Sequence, residues 1–405
     1  MDFELNEEER LIQKLARDFA ENEIRPVAHQ YDESEEVPYE IIGKASELGL
    51  ASAFSMGGGE VSSPLAPALI VEQLSWGCAG IALAIASSGL AAAAISATGT
   101  NDQKAKFLPM CTSTEGDVRL GAMGLTEPEA GSDVANIQTT ARRDSDEWVL
   151  NGTKRWTTNG GIADVHVIFA TEDRSLGWGG LGAYVVTKDT PGLSMGTKWK
   201  KMGIRASHTA DVILEDVRIP ADHKLGYDPS AQRSSNGDSK APGALGAVRM
   251  LERTRPIIGA FALGIAQAAF DKALEYTKTR VQFGKPIAMN QAIAFKLAEM
   301  HTEIEAARML VYKGAWMAGT GAPMWKGEGS QAKYFASDVA MKITLEALQL
   351  HGGMGYMREE PLEKWVRDAK IFQIFEGTNE IQRLVISRAL IGRLEREEAK
   401  QPAAV

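Results

Sequence analysis

The spacing of apolar residues changes twice along this chain, and the two changes limit the folds it can adopt. Up to residue 118 the apolar residues recur at helical spacing. Residues 119–235 contain short alternating segments separated by turn residues, as in half-buried strands. Long helical patterns return over residues 236–405. The pattern therefore predicts a mainly α protein with a middle β domain, divided into domains at 1–118, 119–235 and 236–405.

Individual elements can be predicted within this order. Asn6 followed by Glu9 is typical of a capped helix start, and we expect further short helices at 39–48, 67–75 and 102–111. Strands are predicted at 147–150, 165–169, 183–186 and 210–214, with a hairpin turn at Asn151-Gly152. Long helices are predicted at 257–276, 290–318, 330–350, 361–371 and 379–397.

Two glycine-containing segments are predicted to be loops, and one uncharged run has two interpretations. Residues 57–59 are glycines, and residues 227–246 are rich in Ser, Gly, Pro and Asp. The run 79–99 is long enough to cross a membrane. Ala, Ser and Gly dominate it, however, where a membrane span carries many larger apolar residues. We therefore predict one buried, closely packed helix and no membrane span.

The charge and the cysteine and histidine content exclude several functions. A net charge of −9 would repel nucleic acid and anionic membranes over most of the surface. The two cysteines, Cys78 and Cys111, form no CxxC and fit a reducing compartment, so we expect a cytoplasmic protein. The six histidines include no pair at ligand spacing, and we expect no metal site.

Five segments combine glycines with hydroxyl, aromatic or charged side chains, and each has an ordinary structural explanation as well. The first four are typical of a capped turn, a core Trp at a strand end, a charged helix C-terminus and a helix C-cap, respectively. They are also suited to binding a planar or phosphorylated ligand through hydroxyls, an indole, an arginine and exposed backbone. These four segments are 125–133, 154–161, 280–287 and 349–356.

The fifth segment, 374–381, contains Glu376 between apolar residues and a glycine. Apolar surroundings favour the protonated form of a carboxyl group and so make its carboxylate a stronger base. A solvated loop glutamate is the plainer interpretation. A further match, the G-x-G-x-x-G of Gly177, Gly179 and Gly182, is followed by a predicted strand instead of a helix, so a dinucleotide site is rejected there.

The order and the amino-acid sequences of these segments resemble those of the acyl-CoA dehydrogenase family, close to its medium-chain and short-chain types, over nearly the whole chain. The matching stretches are LTEPEAGSD, RWTTNGG, KMGIRAS, RTRP, RVQFGKPI, QLHGGMGY and RDAKIFQIFEGTNEIQR. The resemblance implies an N-terminal helical domain, a middle β domain and a C-terminal four-helix bundle, assembled as a homotetramer. It also implies FAD as the cofactor and an acyl-CoA thioester as the substrate, as in fatty acid β-oxidation.

The resemblance assigns site residues to positions in this chain. The flavin contacts from one subunit would be Met123, Leu125, Thr126, Gly131, Ser132, Trp156 and Thr158. A neighbouring subunit would supply Arg280, Phe283, Gln291, Gln349 and Gly353, and the adenosine side would be completed by Thr378 and Glu380. The substrate contacts would be Ser132, Glu252, Arg253, Thr254, Arg255 and Gly377, with residues 252–255 beginning a long helix.

The resemblance also assigns the catalytic base. In the medium-chain, short-chain and glutaryl types of the family the base is the Glu of the EGT stretch, which is Glu376 here. In the isovaleryl and long-chain types it lies where this chain has Thr254, and a threonine cannot serve. The resemblance therefore implies that Glu376 removes the α-proton, that a hydride passes to flavin N5, and that electron-transfer flavoprotein accepts the electrons.

Two departures and two alternatives accompany the resemblance. The segment 227–249 is longer than the family's usual connection, which leaves the acyl chain length open, and residues 55–59 lack the family's acidic-Tyr-Gly-Gly wording. An oxidase or monooxygenase on the same scaffold is one alternative. A silent flavin-binding subunit is another, although the Glu376 and Arg280 that silent relatives lack are both present.

Overall fold

The computed structural model describes residues 4–51, 63–114, 116–227 and 244–392, with the backbone alone at 244–249. The predicted glycine loop at 57–59 and most of the long segment 227–249 lie outside these ranges. The domain boundaries at 118/119 and 235/236 stay predictions.

The N-terminal part is helical, as predicted. The first helix begins with a capping box, because the Asn6 side chain accepts from the Glu9 N–H at 2.9 Å and the Glu9 carboxylate accepts from the Asn6 N–H at 2.9 Å. The helices are α1 (Glu7–Phe19), α2 (Ala28–Ser34), α3 (Tyr39–Glu47), α4 (Ala66–Gly77), α5 (Ala79–Ala86), α6 (Gly89–Thr98) and α7 (Asn101–Phe107).

The uncharged run forms two helices, α5 and α6, so the prediction of one helix was wrong. The break falls at two serines whose hydroxyls bond elsewhere. The Ser87 hydroxyl donates to the Ala84 carbonyl and accepts from Asn159, and the Ser88 hydroxyl accepts from the Gly121 N–H. Two apolar stretches of the described chain are long enough to cross a membrane, Ala79–Thr98 and Met250–Thr279, and both are mostly buried helices of the protein core.

The middle part is a seven-stranded sheet. Its strands are β1 (Gly121–Gly124), β2 (Thr140–Asp144), β3 (Glu147–Thr158), β4 (Val165–Thr171), β5 (Leu181–Thr187), β6 (Leu193–Lys198) and β7 (Thr209–Pro220). They run in the order β1-β4-β2-β3-β7-β6, with β5 also paired to β4. The β1–β4 and β2–β4 pairs are parallel and the other pairs are antiparallel. The four predicted strands lie within β3, β4, β5 and β7.

Asn151-Gly152 is not a hairpin turn, which corrects the prediction. The two residues lie inside β3, where the register against β7 shifts between Leu150 and Gly152. Gly152 has a φ of 150°, and a Cβ there would lie 2.5 Å from the Thr139 hydroxyl oxygen. Only glycine fits this bulge. The turn between β2 and β3 is instead at Ser145-Asp146, where Ser145 has a φ of 55°.

The C-terminal part is a bundle of long helices built around α8. Its elements are α8 (Ala244–Thr279), a short hairpin of β8 (Val281–Gln282) and β9 (Lys285–Pro286), α9 (Gln291–Thr320), α10 (Glu328–His351), α11 (Leu362–Lys370) and α12 (Asn379–Ile391). Because α8 begins at Ala244, residues 252–255 lie in its third turn. The prediction that these residues begin the helix was wrong. A single core joins this bundle to the N-terminal helices.

Candidate active site

Glu376 lies in the loop between α11 and α12, and this loop is held in an unusual backbone conformation. Glu376 has a φ of 55° and Gly377 a φ of 86°. The Gln382 side-chain amide donates to the carbonyls of Glu376 at 3.0 Å and Gly377 at 2.8 Å. Thr378 caps α12, because its hydroxyl accepts from the Ile381 N–H. These bonds fix a strained residue in place, as is common at functional sites.

Two cations from other helices lie near the Glu376 carboxylate. The fully buried Lys333 of α10 donates to the Gly377 carbonyl at 2.8 Å and to Asn379 Oδ1 at 2.9 Å. Burial raises the pKa of Glu376, and the charges of Arg255 and Lys333 oppose this shift. Burial also lowers the pKa of Lys333 to about 8. Glu376 is therefore a stronger base than a solvated glutamate.

Arg255 is held beside this loop by Glu252 and Ser330. Its Nη1 donates to the Ser330 hydroxyl at 2.8 Å and to the Glu252 carboxylate. Glu252 in turn accepts from the Ser330 N–H at 3.0 Å. Arg255 Nη2 lies 3.8 Å from the position that a Cβ of Gly377 would occupy, and the buried Arg255 Nε has no partner among the described residues. This arginine therefore has donor capacity left on the side of the Glu376 loop.

The other two residues of the 252–255 stretch point elsewhere. Arg253 Nη2 donates to the carbonyls of Met317 and Ala318 at 3.4 and 2.8 Å, near the end of α9. The Thr254 hydroxyl donates to the Leu251 carbonyl one turn back in α8. The geometry thus supports Arg255 and Glu252 as neighbours of the base, and it gives Arg253 a helix-capping role. The substrate contacts themselves stay predictions.

The predicted flavin contacts of the β domain lie on two adjoining segments. The Arg155 N–H at the end of β3 donates to the Thr126 carbonyl at 2.8 Å, which brings the loop after β1 against the Trp156 segment. Trp156 has a φ of 54° at a bulge in β3, and its side chain is 57% exposed. Gly131 and Ser132 are exposed, and a Cβ at Gly131 would meet no atom within 4 Å. Met123, Leu125, Thr126 and Thr158 are half-buried beside them.

The residues predicted to serve a neighbouring subunit are exposed at one end of the helical bundle. Tyr276 stacks on His351 with ring centroids 4.1 Å apart, so the C-terminal ends of α8 and α10 lie side by side. Phe283, in the turn between β8 and β9, is 98% exposed and has a φ of 53°. The exposed residues at this end are Arg280, Phe283, Gln291, Gln349 and Gly353. His351 itself is buried, and its Nδ1 bonds the Ala347 carbonyl.

Thr378 and Glu380 lie at the start of α12. Hydrogen bonds from the Glu380 N–H and the Thr378 hydroxyl lower the pKa of the Glu380 carboxyl. Their contact with the adenosine side of the cofactor stays a prediction.

The residues of the β domain fit a flavin ring. An exposed indole held at a strand bulge offers a flat apolar surface, and hydroxyls at Thr126 and Thr158 lie on the adjoining segments. The buried Thr157 hydroxyl has no hydrogen-bond partner within the described chain. Among the described residues, no group of three or more His, Cys, Asp or Glu side chains could hold a metal ion.

Several supporting residues were not predicted from the sequence. Lys333, Ser330 and Gln382 are ordinary helix residues in the sequence, and only the fold brings them to the Glu376 loop. Lys154 and Glu127 form a buried ion pair at 2.6 Å between β3 and the loop after β1. Both lie within segments that the sequence had singled out, but nothing in the sequence pairs them.

Comparison with known proteins gives matches to one protein family over nearly the whole chain. Its residues 6–115, 122–217 and 243–391 match the models of the N-terminal, middle and C-terminal domains of acyl-CoA dehydrogenase. A short-chain-specific acyl-CoA dehydrogenase of Clostridium acetobutylicum is 40% identical over 394 residues, which are 96% of this chain and 99% of the relative.

Two solved structures extend the comparison. Butyryl-CoA dehydrogenase from Megasphaera elsdenii is 40% identical, with a TM-score of 0.88 over 96% of this chain and 100% of the other. PigA with FAD and proline is 27% identical, with a TM-score of 0.86 over 96% and 99%. The predicted fold, three parts with a middle β domain, is therefore confirmed. The chain belongs to the acyl-CoA dehydrogenase family.

Proposed function

We propose that this protein oxidises an acyl-CoA thioester to the trans-2-enoyl-CoA, with Glu376 as the base that removes the α-proton. The observation that carries the proposal is the conformation of the 376–377 loop. It presents a half-buried carboxylate, whose pKa desolvation raises, from a backbone that Gln382 and Lys333 hold in place. A thioester α-proton is weakly acidic, so a carboxylate must be made more basic and held close to it.

The chain also offers a donor for the charge that develops on the thioester. The Glu376 N–H makes no hydrogen bond to another described residue. We infer that it bonds the thioester carbonyl oxygen as negative charge accumulates there. Arg255 and Lys333 favour the ionised form of Glu376 and so keep it able to accept a proton near neutral pH.

FAD, when bound, supplies the acceptor for the β-hydride. We propose that its ring lies against Trp156, Thr126 and Thr158 of one subunit. The residues proposed to complete the site from a neighbouring subunit are Arg280, Phe283, Gln291, Gln349 and Gly353. Their exposure at one end of the bundle supports a homotetramer in which sites are shared. Thr378 and Glu380 are proposed for the adenosine side.

We also propose a class of acyl group, an electron acceptor and a cellular location. The names of the Clostridium and Megasphaera proteins favour a short straight acyl chain as the first substrate to test. Electron-transfer flavoprotein is the proposed acceptor. Two free buried cysteines support a cytoplasmic location.

Replacement of the base tests the proposal. The E376Q variant should fold, carry FAD and bind butyryl-CoA, but anaerobic substrate should no longer bleach its flavin absorbance. We expect a loss of at least about 10³-fold in turnover, because an amide cannot accept the proton. The matched control is E359Q, which alters an exposed glutamate before α11 and should keep normal bleaching. Near-normal turnover by E376Q would refute Glu376 as the base.

The same purified enzyme can be used to distinguish a dehydrogenase from an oxidase. If the enzyme hands its electrons to a protein acceptor, butyryl-CoA should bleach the flavin under nitrogen but cause only slow oxygen consumption in air. Rapid oxygen consumption, with peroxide formed in step with enoyl-CoA, would favour the oxidase.

A further inference from the structure

Lys154 is a completely buried lysine in β3, two residues before Trp156. Its side chain has no exposed surface. Its ammonium donates to Glu127 Oε1 at 2.6 Å and to the Leu125 carbonyl at 3.3 Å. Glu127 is also buried and belongs to the loop that follows β1. A buried charge is costly unless it is paired and hydrogen-bonded, so a specific pair in this position requires an explanation.

Glu127 joins three segments of the β domain. Its carboxylate accepts from the Thr139 N–H at 2.9 Å and from the Gln138 N–H, at the entry to β2. It also accepts from Lys154 in β3. The ion pair therefore fixes the loop after β1 against the strand that carries Trp156. With its acceptors occupied, such a buried polar network is rigid.

The network holds the Leu125–Thr126 peptide from one side and leaves donors free on the other. The Leu125 carbonyl accepts from Lys154, and the Thr126 carbonyl accepts from the Arg155 N–H. The Thr126 N–H and hydroxyl make no hydrogen bond to another residue of the described ranges. A hydrogen bond from an ammonium group to the Leu125 carbonyl polarises this peptide and makes the Thr126 N–H a stronger donor.

Gly124 makes room for the lysine stem. A Cβ at position 124 would lie 2.9 Å from Lys154 Cγ and 2.9 Å from Ile168 Cδ1. Any larger residue would therefore push the lysine away from the loop.

We propose that Lys154, paired with Glu127, is a positioning residue that holds the Thr126 donors and the Trp156 ring in register for the flavin ring. This inference rests on the proposed function, since it requires FAD at this surface. A lysine with a merely structural role would affect folding stability and leave the bound flavin unchanged.

The test compares flavin properties in holoenzyme variants. K154M removes the ammonium but leaves a buried carboxylate, whereas K154M/E127Q leaves no buried charge. We expect both variants to release FAD at least about tenfold faster than wild type. Their flavin visible absorption and midpoint potential should shift in the same direction, and the double variant should be the more stable of the two. G124A, which displaces the lysine without removing it, should shift the spectrum in that direction as well.

K364M is the matched control. Lys364 and Asp368 form another buried lysine–carboxylate pair, within α11. Its loss should lower the melting temperature but leave FAD release and the flavin spectrum as in wild type. Wild-type release and spectrum in the two K154M variants would overturn the inference, and so would an equal flavin change in K364M. Failure of the proposed function is distinct, because then wild type would carry no FAD or E376Q would stay active.

Discussion

The ionisation of Glu376 depends on neighbours that lie far from it in the sequence. Burial raises its pKa, while the charges of Arg255 in α8 and Lys333 in α10 lower it. Removal of one of these charges leaves burial less opposed, so the pKa must rise further. The charge of Arg255 is accordingly placed to set the lower pH limit of activity.

We therefore predict that R255Q moves the acid limb of the kcat/KM profile to higher pH. The base acts only when ionised, so below its pKa the rate falls about tenfold per pH unit. The measurement is kcat/KM for butyryl-CoA against pH in wild type and variant. R253Q is the control, because Arg253 bonds the end of α9 instead of the Glu376 loop. An unmoved limb in R255Q, or an equal movement in R253Q, would contradict the assignment.

The roles of single residues could be predicted from the sequence only where the residue belonged to a recognisable motif. Glu376 was assigned because the EGT stretch follows apolar residues and matches a family pattern. Lys333 could not be found this way, because it lies 43 positions before Glu376 in a helix of ordinary pattern. Its proximity is a result of how α10 and the 376–377 loop pack, and a linear pattern does not contain that information.

At the scale of elements, α8 is the helix that connects the N-terminal helices to the C-terminal bundle. It packs against α4 from the N-terminal part and against α9 and α10 from the bundle. Helices α8 and α4 lie close together at Gly264, where a Cβ would lie 2.2 Å from the Glu72 carbonyl oxygen. The two helices can cross so closely only because this position lacks a side chain.

A pair of glycine substitutions tests this crossing. G264A should destabilise the protein by about 1–3 kcal/mol, because the added methyl group must displace backbone. G43A, in the middle of α3, should stabilise by about 0.5–1 kcal/mol, because its Cβ would lie 3.7 Å from Val118 Cγ2 in ordinary contact. Urea unfolding of the two holoenzyme variants measures the difference. Equal stabilisation by both substitutions would show that helix propensity, and not the crossing, decides both.

Periodicity predicted most helices well, long and short, but it missed the start of α8, predicted at 257 and observed at Ala244, and it missed three short strands. The bundle helices α9 and α10 lie within two residues of their predicted bounds. Strands β1, β2 and β6 were missed, because they are only four to six residues long and β2 and β6 carry exposed polar residues. The bulge at Gly152 was mistaken for a turn because Asn-Gly is typical of both left-handed turns and strand irregularities.

At the scale of the whole molecule, the order of helical, alternating and helical periodicity was enough to predict three parts. It did not reveal that the first and last parts share one core. Helices α1, α4 and α5 contribute to the same buried cluster as α8, α9 and α10. The Trp76 indole of α4 also donates to Asp271 of α8 at 2.8 Å. Contacts across nearly 200 residues of sequence leave no local signal.

The last prediction concerns sharing of the active site between subunits. If Glu376 and Trp156 of one subunit work with Arg280 and Phe283 of a neighbour, two inactive variants should restore each other. E376Q subunits keep a sound Arg280, and R280Q subunits keep a sound Glu376. In hybrids assembled at random from equal amounts, about one site in four combines an intact Glu376 from one subunit with an intact Arg280 from its neighbour. Co-expressed E376Q and R280Q should therefore recover about a quarter of wild-type turnover.

The surface around Phe283 is the physical reason to expect this sharing. A phenylalanine that is 98% exposed, in a tight turn with a φ of 53°, is held in place without burying its own ring. Val281 and Met289 of the same segment are exposed as well, and several exposed apolar residues together are typical of a contact site. The control is to mix the two purified variants without subunit exchange, which should recover nothing. Hybrids verified by mass spectrometry that stay inactive would show that each subunit completes its own site, because a shared site must contain some sound pairs.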